Sequence, residues 1–262
     1  MNPFKHFKAT GCLVGGAIGD VASVDGCVGE NTSFTAAVCE SLVHHGKFDL
    51  HDCLTRHMRS RPEGPSGCSA IWATLDQIGT WLNSGGNAGN SPDVPANNLF
   101  LSTGVTTKIA PLGVLAGLRS DVPPTEQVYR LGRATHGDLR ASAAADFHCR
   151  LLSALIQQGR CRLERDELAQ LVWTVWRSFT QDEEARRVIS SDARSGAHLS
   201  TPSLGARLWE VVKMLDEGPA SPLKQQTPEA LRARITGSDY SVMTAVPLAL
   251  GVFLRHPTDF LA

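Results

Sequence analysis

His44, His45, His51 and His57 are the densest group of side chains in the chain that could ligate a metal or carry a proton. A helical zinc site needs two histidines four residues apart, with a carboxylate or water completing the shell. No two of these four have that spacing, so they are expected at the surface or at helix ends. His136 and His148 follow, and no cysteine or serine motif marks a nucleophile beside either. There is no Gly-x-Ser-x-Gly elbow, no Gly-x-x-x-x-Gly-Lys-Ser/Thr phosphate loop and no dinucleotide fingerprint after a strand. Tryptophans 72, 81, 173, 176 and 209 stand among helical apolar residues, which points to packing rather than a stacking platform.

The elements that must position any site are helices. Leu168, Leu171, Val172, Val175, Trp176 and Phe179 recur at three- and four-residue steps and form one apolar stripe. Ala144, Leu151, Leu152, Leu155 and Ile156 repeat that spacing, as do Leu204, Leu208, Val211, Val212 and Leu215. Thr201-Pro202 and Thr227-Pro228 each place a side-chain acceptor before a proline suited to a first helical turn. Leu99-Phe-Leu-Ser102 is the only short strand candidate, so the expected class is all-α. Pro62 to Gly67 reads as a turn between helices. The polar, Gly- and Asn-rich stretch 83–98 is expected to be a flexible loop. Glycines 11, 15 and 19 lie four apart on one helical face, the pattern of a close helix–helix crossing, and Gly19-Asp20 would shape a helix end.

Composition narrows the function classes. The chain has 262 residues and is 42% hydrophobic, enough for a substantial core in one domain. A net charge of -1 and a pI near 6.7 give no field to attract nucleic acid or an anionic membrane. No apolar stretch is long enough to span a bilayer. Asp20 interrupts the apolar run 9–24, and no small-residue cleavage site follows it, which argues against a signal peptide. Seven cysteines, none in a Cys-x-x-Cys, argue against a disulfide framework. A cytoplasmic protein with reduced thiols is expected.

Ordered blocks between residues 9 and 255 carry a family resemblance. They are Gly11-Cys-Leu-Val-Gly15-Gly-Ala-Ile-Gly19-Asp20, Thr32-Ser33-Phe34-Thr35 and Ser102-Thr-Gly104-Val-Thr-Thr-Lys108-Ile-Ala-Pro111-Leu-Gly113. Thr135-His136, Glu229-Ala-Leu-Arg232 and Thr236-Gly-Ser-Asp239-Tyr240-Ser241-Val242 complete the series. In this order they resemble the ADP-ribosylglycohydrolase family, which implies one helical-bundle domain over residues 1–262. The resemblance also implies a binuclear magnesium or manganese site. In the family its carboxylates come from a Thr-Asp-Asp-Thr at the start of the second helix and a Gly-Gly-Asp-Thr-Asp-Thr near the C-terminus. Hard dications need such oxygen ligands, and paired metals can activate water at a glycosidic carbon.

This chain departs from that pattern. Ser33 and Phe34 stand where both aspartates of the first motif belong. Asp239 matches the first aspartate of the second motif, Ser241 replaces the next, and Val242 replaces the final threonine. Asp25 or Glu30 could match a further acidic residue of some members. In the pocket loop Gly104, Pro111 and Gly113 match, Lys108 replaces an arginine and Thr103 an asparagine. The implied pocket is Asp20, Thr32, Ser33, Phe34, Gly104, Lys108, His136, Asp239, Tyr240 and Ser241, with no metal expected and no catalytic residue assigned. Three functions stay open. The first is a pseudoenzyme that binds ADP-ribose, an ADP-ribosylated protein or an ADP-ribosyltransferase, by analogy with immunity-type relatives. The second is an active hydrolase with a rearranged site of Asp239, Asp25 or Glu30, and Asp20, the one case needing magnesium or manganese. The third is an interaction scaffold whose pocket is filled by Phe34.

Overall fold

The computed structural model describes residues 2–23, 29–59, 69–85, 102–121, 123–160, 162–191, 203–215 and 241–255. Among these the architecture is all-α, with ten α-helices, one 3-10 turn and no strand. None of the described helices is long and apolar enough to cross a membrane. The turn expected at 62–67, most of the 83–98 loop and the Thr227-Pro228 cap lie outside the described residues, as do residues 99–101 of the strand candidate.

The chain divides into two compact units, Met1–Gly159 and Arg160–Ala262. The first holds α1 (Pro3–Ser23), α2 (Glu30–His45), α3 (Leu50–Arg59), α4 (Ser69–Asn83), α5 (Gly104–Arg119), α6 (Thr125–Arg133) and α7 (Leu139–Gln157). Its centre is α5, which packs against α7, α2, α1 and α6. Such a helix must be apolar on nearly every face, and Val105, Ile109, Leu112 and Val114 are all buried.

Glycine spacing explains how closely α5 meets α7. A Cβ built on Gly113 would lie 2.7 Å from the Cys149 carbonyl oxygen, and one on Gly117 would lie 2.7 Å from Cβ of Ile156. The facing helix answers with small residues, for Ala141, Ala143, Ala144 and Ala145 are buried on α7. The close crossing expected from glycine spacing is therefore here, not on α1. A Cβ on Gly11, Gly15 or Gly19 would meet nothing within 4 Å among the described residues. α1 instead packs through Ala9, Cys12 and Leu13, against Val114, Leu118 and Ile156.

The second unit holds α8 (Arg165–Ser191), α9 (Leu204–Val212), the 3-10 turn Lys213–Leu215 and α10 (Val242–Arg255). The stripe read from spacing is its core, with Leu168, Leu171, Val172, Val175 and Phe179 buried together with Leu204, Leu208, Val211 and Val212. The cap of α9 is Ser203, whose hydroxyl accepts from the Ala206 N–H, so the helix begins after Pro202 rather than at it. Glu183 of α8 adds a second cap: its carboxylate accepts from the Leu204 and Gly205 N–H groups, both at 2.8 Å. Trp173, Trp176 and Trp209 are half-buried and cluster with ring centroids 4.9–5.8 Å apart, Trp176 stacked on Trp209 and Trp173 tilted against both. The described cysteines, Cys12, Cys39, Cys53 and Cys149, are all free thiols.

Candidate functional site

Unit 1 brings most of the expected pocket residues together where α1, α2, α3 and α5 converge. Asp20, in the last turns of α1, is buried. Its carboxylate accepts from Thr32 Oγ1 at 2.7 Å, the Thr32 N–H at 3.1 Å and Asn31 Nδ2 at 3.3 Å. The N-cap of α2 is Gly29, which has no side chain to cap with. Asp20 performs that task from the neighbouring helix, with its charge at the positive end of α2. Gly29 is needed for the approach, because a Cβ there would fall 2.7 Å from both Asp20 oxygens. Asp20 thus anchors α2 and is occupied in doing so. Asp20→Ala should lower unfolding stability by about 1–2 kcal/mol in a urea titration. A variant as stable as the parent would show that the cap contributes nothing.

Beyond the cap, α2 turns different groups to different surroundings. Ser33 is half-buried, with its hydroxyl 3.4 Å from the Gly29 carbonyl. Phe34 points inward, is 6% exposed, and has its ring centroid 3.6 Å from that of His57 on α3. Thr35 ties α2 to α5, its hydroxyl shared between the Asn31 carbonyl at 2.8 Å and the Thr107 carbonyl at 3.1 Å. Gly104, the first residue of α5, faces Asn31: a Cβ there would sit 3.0 Å from Asn31 Oδ1.

His57 lies in the last turn of α3, at a helix end as expected, but it is fully buried. The sequence held a signal for this. Leu50, Cys53, Leu54 and His57 fall at positions i, i+3, i+4 and i+7 of α3, the spacing of a buried stripe, and all four are buried. His44, His45 and His51 are exposed as expected, with His45 Nε2 3.3 Å from Asp52.

Lys108 is the least expected resident. It is 1% exposed within α5, and no carboxylate among the described residues pairs with it; Nδ1 of His136 lies 3.5 Å from its amine. Burial pushes its pKa down to about 7. His57 and His136 are held well below the usual imidazole range, first by their own burial and then by the nearby Lys108. At neutral pH both imidazoles are uncharged.

His136 lies in the turn between α6 and α7, so it does not share a helix with His148. Its Nε2 is 2.8 Å from Ser102 Oγ, and its Nδ1 is 2.9 Å from Thr135 Oγ1. Ser102 was not singled out as a nucleophile from sequence, because no motif surrounds it and 34 positions separate it from His136. Asp25, Asp239 and Tyr240 lie outside the described residues, as does the Glu30 side chain. Ser241 opens α10 in unit 2, and its backbone carbonyl accepts from the Thr244 and Ala245 N–H groups.

Metal chemistry would need acidic groups that the described residues do not gather. No three His, Cys, Asp or Glu side chains among them could hold a metal ion together. The family model described as ADP-ribosylglycohydrolase matches residues 1–262. No curated protein matches the chain.

Proposed function

The chain belongs to the ADP-ribosylglycohydrolase family, and from that premise we propose that it binds an ADP-ribosyl group without performing the family's metal-dependent hydrolysis. The ligand would be ADP-ribose itself, an ADP-ribosylated protein, or an ADP-ribosyltransferase that the protein neutralises. The observation that carries this reading is Phe34. An apolar ring, buried against His57, occupies a position where the family places a metal-binding carboxylate. Ser33 beside it brings a hydroxyl and no charge. Two dications need several carboxylate oxygens to offset their charge, and Asp20 is already engaged by Thr32 and Asn31. The described residues do not fit the metal pair. Fold alone does not fix function, and these substitutions argue against the family's reaction.

Titration calorimetry with ADP-ribose, with and without magnesium or manganese, tests the proposal. Binding of equal strength in both conditions is expected. Either ion alone at millimolar concentration should leave the melting temperature unchanged, because a ligand raises it only by binding the folded state. Binding that requires the ion would favour an active hydrolase with a rearranged site. No binding in either condition would favour a scaffold whose pocket Phe34 has filled.

A further inference from the structure

Ser102 and His136 have the spacing of a nucleophile and its base, and one tautomer of the ring lets a proton pass from the hydroxyl to the imidazole. Thr135 Oγ1 lies 3.3 Å from the Gly132 carbonyl and donates its hydrogen there. The tautomer that makes His136 a base has the ring hydrogen on Nδ1, which then donates to Thr135 Oγ1 at 2.9 Å, with the Lys108 amine 3.5 Å from the same nitrogen. The other nitrogen, Nε2, is then a free acceptor 2.8 Å from Ser102 Oγ. The hydroxyl therefore donates to the imidazole, as a general base requires. Ser102 is half-buried, so its hydroxyl is not sealed in the core. It stands two residues before α5, a 16-residue helix whose Thr106 N–H donates to the Thr103 carbonyl, which leaves the N–H groups of Gly104 and Val105 at its start. Donors so placed favour negative charge developing next to Ser102.

We propose that Ser102 and His136 form a metal-free acyl-transfer site for carboxylic esters; His136 is shared with the pocket expected for ADP-ribose, but the proposal does not depend on that reading. Ser102 Oγ attacks the ester carbonyl carbon while its hydrogen passes to His136 Nε2. The carbonyl electrons move onto oxygen, giving a tetrahedral oxyanion next to the start of α5. Collapse breaks the bond to the alcohol oxygen, which leaves with the proton held by His136, and Ser102 is acylated. Water then attacks the acyl carbon with His136 again taking the proton, and the acid departs as Ser102 recovers its hydrogen. A dyad whose imidazole Nδ1 meets Thr135 Oγ1 and the Lys108 amine, with no carboxylate among its described partners, suits an acyl group with a good leaving alcohol. A buried imidazole beside Lys108 is a weak base but, once protonated, a strong acid. An amide would demand more. Thr135 acts as a positioning residue that holds the ring tautomer.

The test uses the full chain, 4-nitrophenyl acetate as ester and a fluorophosphonate as covalent probe. Expected results are a burst of 4-nitrophenolate and one fluorophosphonate adduct per chain, mapped by peptide mass spectrometry to Ser102. Ser102→Ala should abolish both, with an unchanged far-UV circular dichroism spectrum showing that the fold is retained. His136→Gln should slow adduct formation by about 100-fold or more. Thr135→Val should slow it less and shift its pH profile, an effect that a purely structural threonine would not produce. No adduct at Ser102, an adduct only elsewhere, or a Ser102 rate unaffected by His136→Gln would each overturn the assignment.

Discussion

Phe34→Asp should destabilise the folded chain by at least about 3–5 kcal/mol, the cost of emptying a buried phenylalanine site before any charge is considered. Phe34 is 6% exposed, and its ring lies against that of His57. The aspartate would leave a cavity and bring a carboxylate into it. A buried carboxylate either takes up a proton or finds a cation, and His57, with Lys108 close to it, is available to provide one. Proton uptake by those groups would offset part of the electrostatic cost but none of the cavity. Phe34→Leu keeps most of the volume and should cost about 1 kcal/mol. The comparison therefore separates lost packing from added charge. Urea unfolding of the three proteins, with and without millimolar magnesium, reads both. If Phe34→Asp matched Phe34→Leu in stability and gained further with magnesium, the family's ion site would still be intact behind the ring. The packing role of the ring would then be refuted, and Phe34 alone would be what keeps the ion out of the unmodified chain.

Periodicity made the helices legible, because a buried stripe is a local property of the sequence. The stripe from Leu168 to Phe179 is buried as its spacing requires, and so are Leu204, Leu208 and Val211. Partner identity was not legible. Gly113 and Gly117 are four apart on α5, just as Gly11 and Gly15 are on α1, yet among the described residues only the first pair meets another backbone. Spacing says which residues share a face and nothing about what covers it. The same limit applies to the site. Ser102 and His136 become neighbours only because α6 and α7 turn back over the start of α5, and no local pattern records that. Lys108 reads as a pocket cation when judged by its residue type, since lysine is rarely buried. Its neighbours Thr107 and Ile109 gave no reason to place it inside a helix apolar on nearly all sides. Asp20 could be read as a ligand carboxylate in sequence, whereas the structure gives it the capping of α2.

Lys108→Met should raise stability at neutral pH, by up to about 4 kcal/mol, and the gain should shrink as the pH rises. Lys108 titrates near 7 when folded and at its ordinary value of 10.5 when unfolded. At pH 7 the unfolded chain holds a proton that the folded chain only half retains, and each pH unit of such a gap is worth about 1.4 kcal/mol. The sign follows directly. From about 7 upward the unfolded state binds more protons, so the parent gains stability with rising pH while the methionine variant stays level. The useful window ends near pH 8.5. Above that, the thiols of Cys12 and Cys53, both pushed up to about 11 by burial, act in the opposite sense. Below pH 6.5 three histidines take over: unfolded His57, His136 and His148 accept protons that the folded forms refuse, so stability falls with acid in both proteins. The acid loss should be somewhat milder in the variant, because burial still holds the imidazoles of His57 and His136 down but the added push of the Lys108 charge is gone. Methionine matches lysine in length and has no charge to desolvate, so little packing is lost. Chemical unfolding of both proteins at half-unit steps from pH 5 to 8.5 reads the two slopes. A methionine variant less stable than the parent at pH 7 would mean that the ammonium is held by compensating groups, and that its burial is not the strain inferred here.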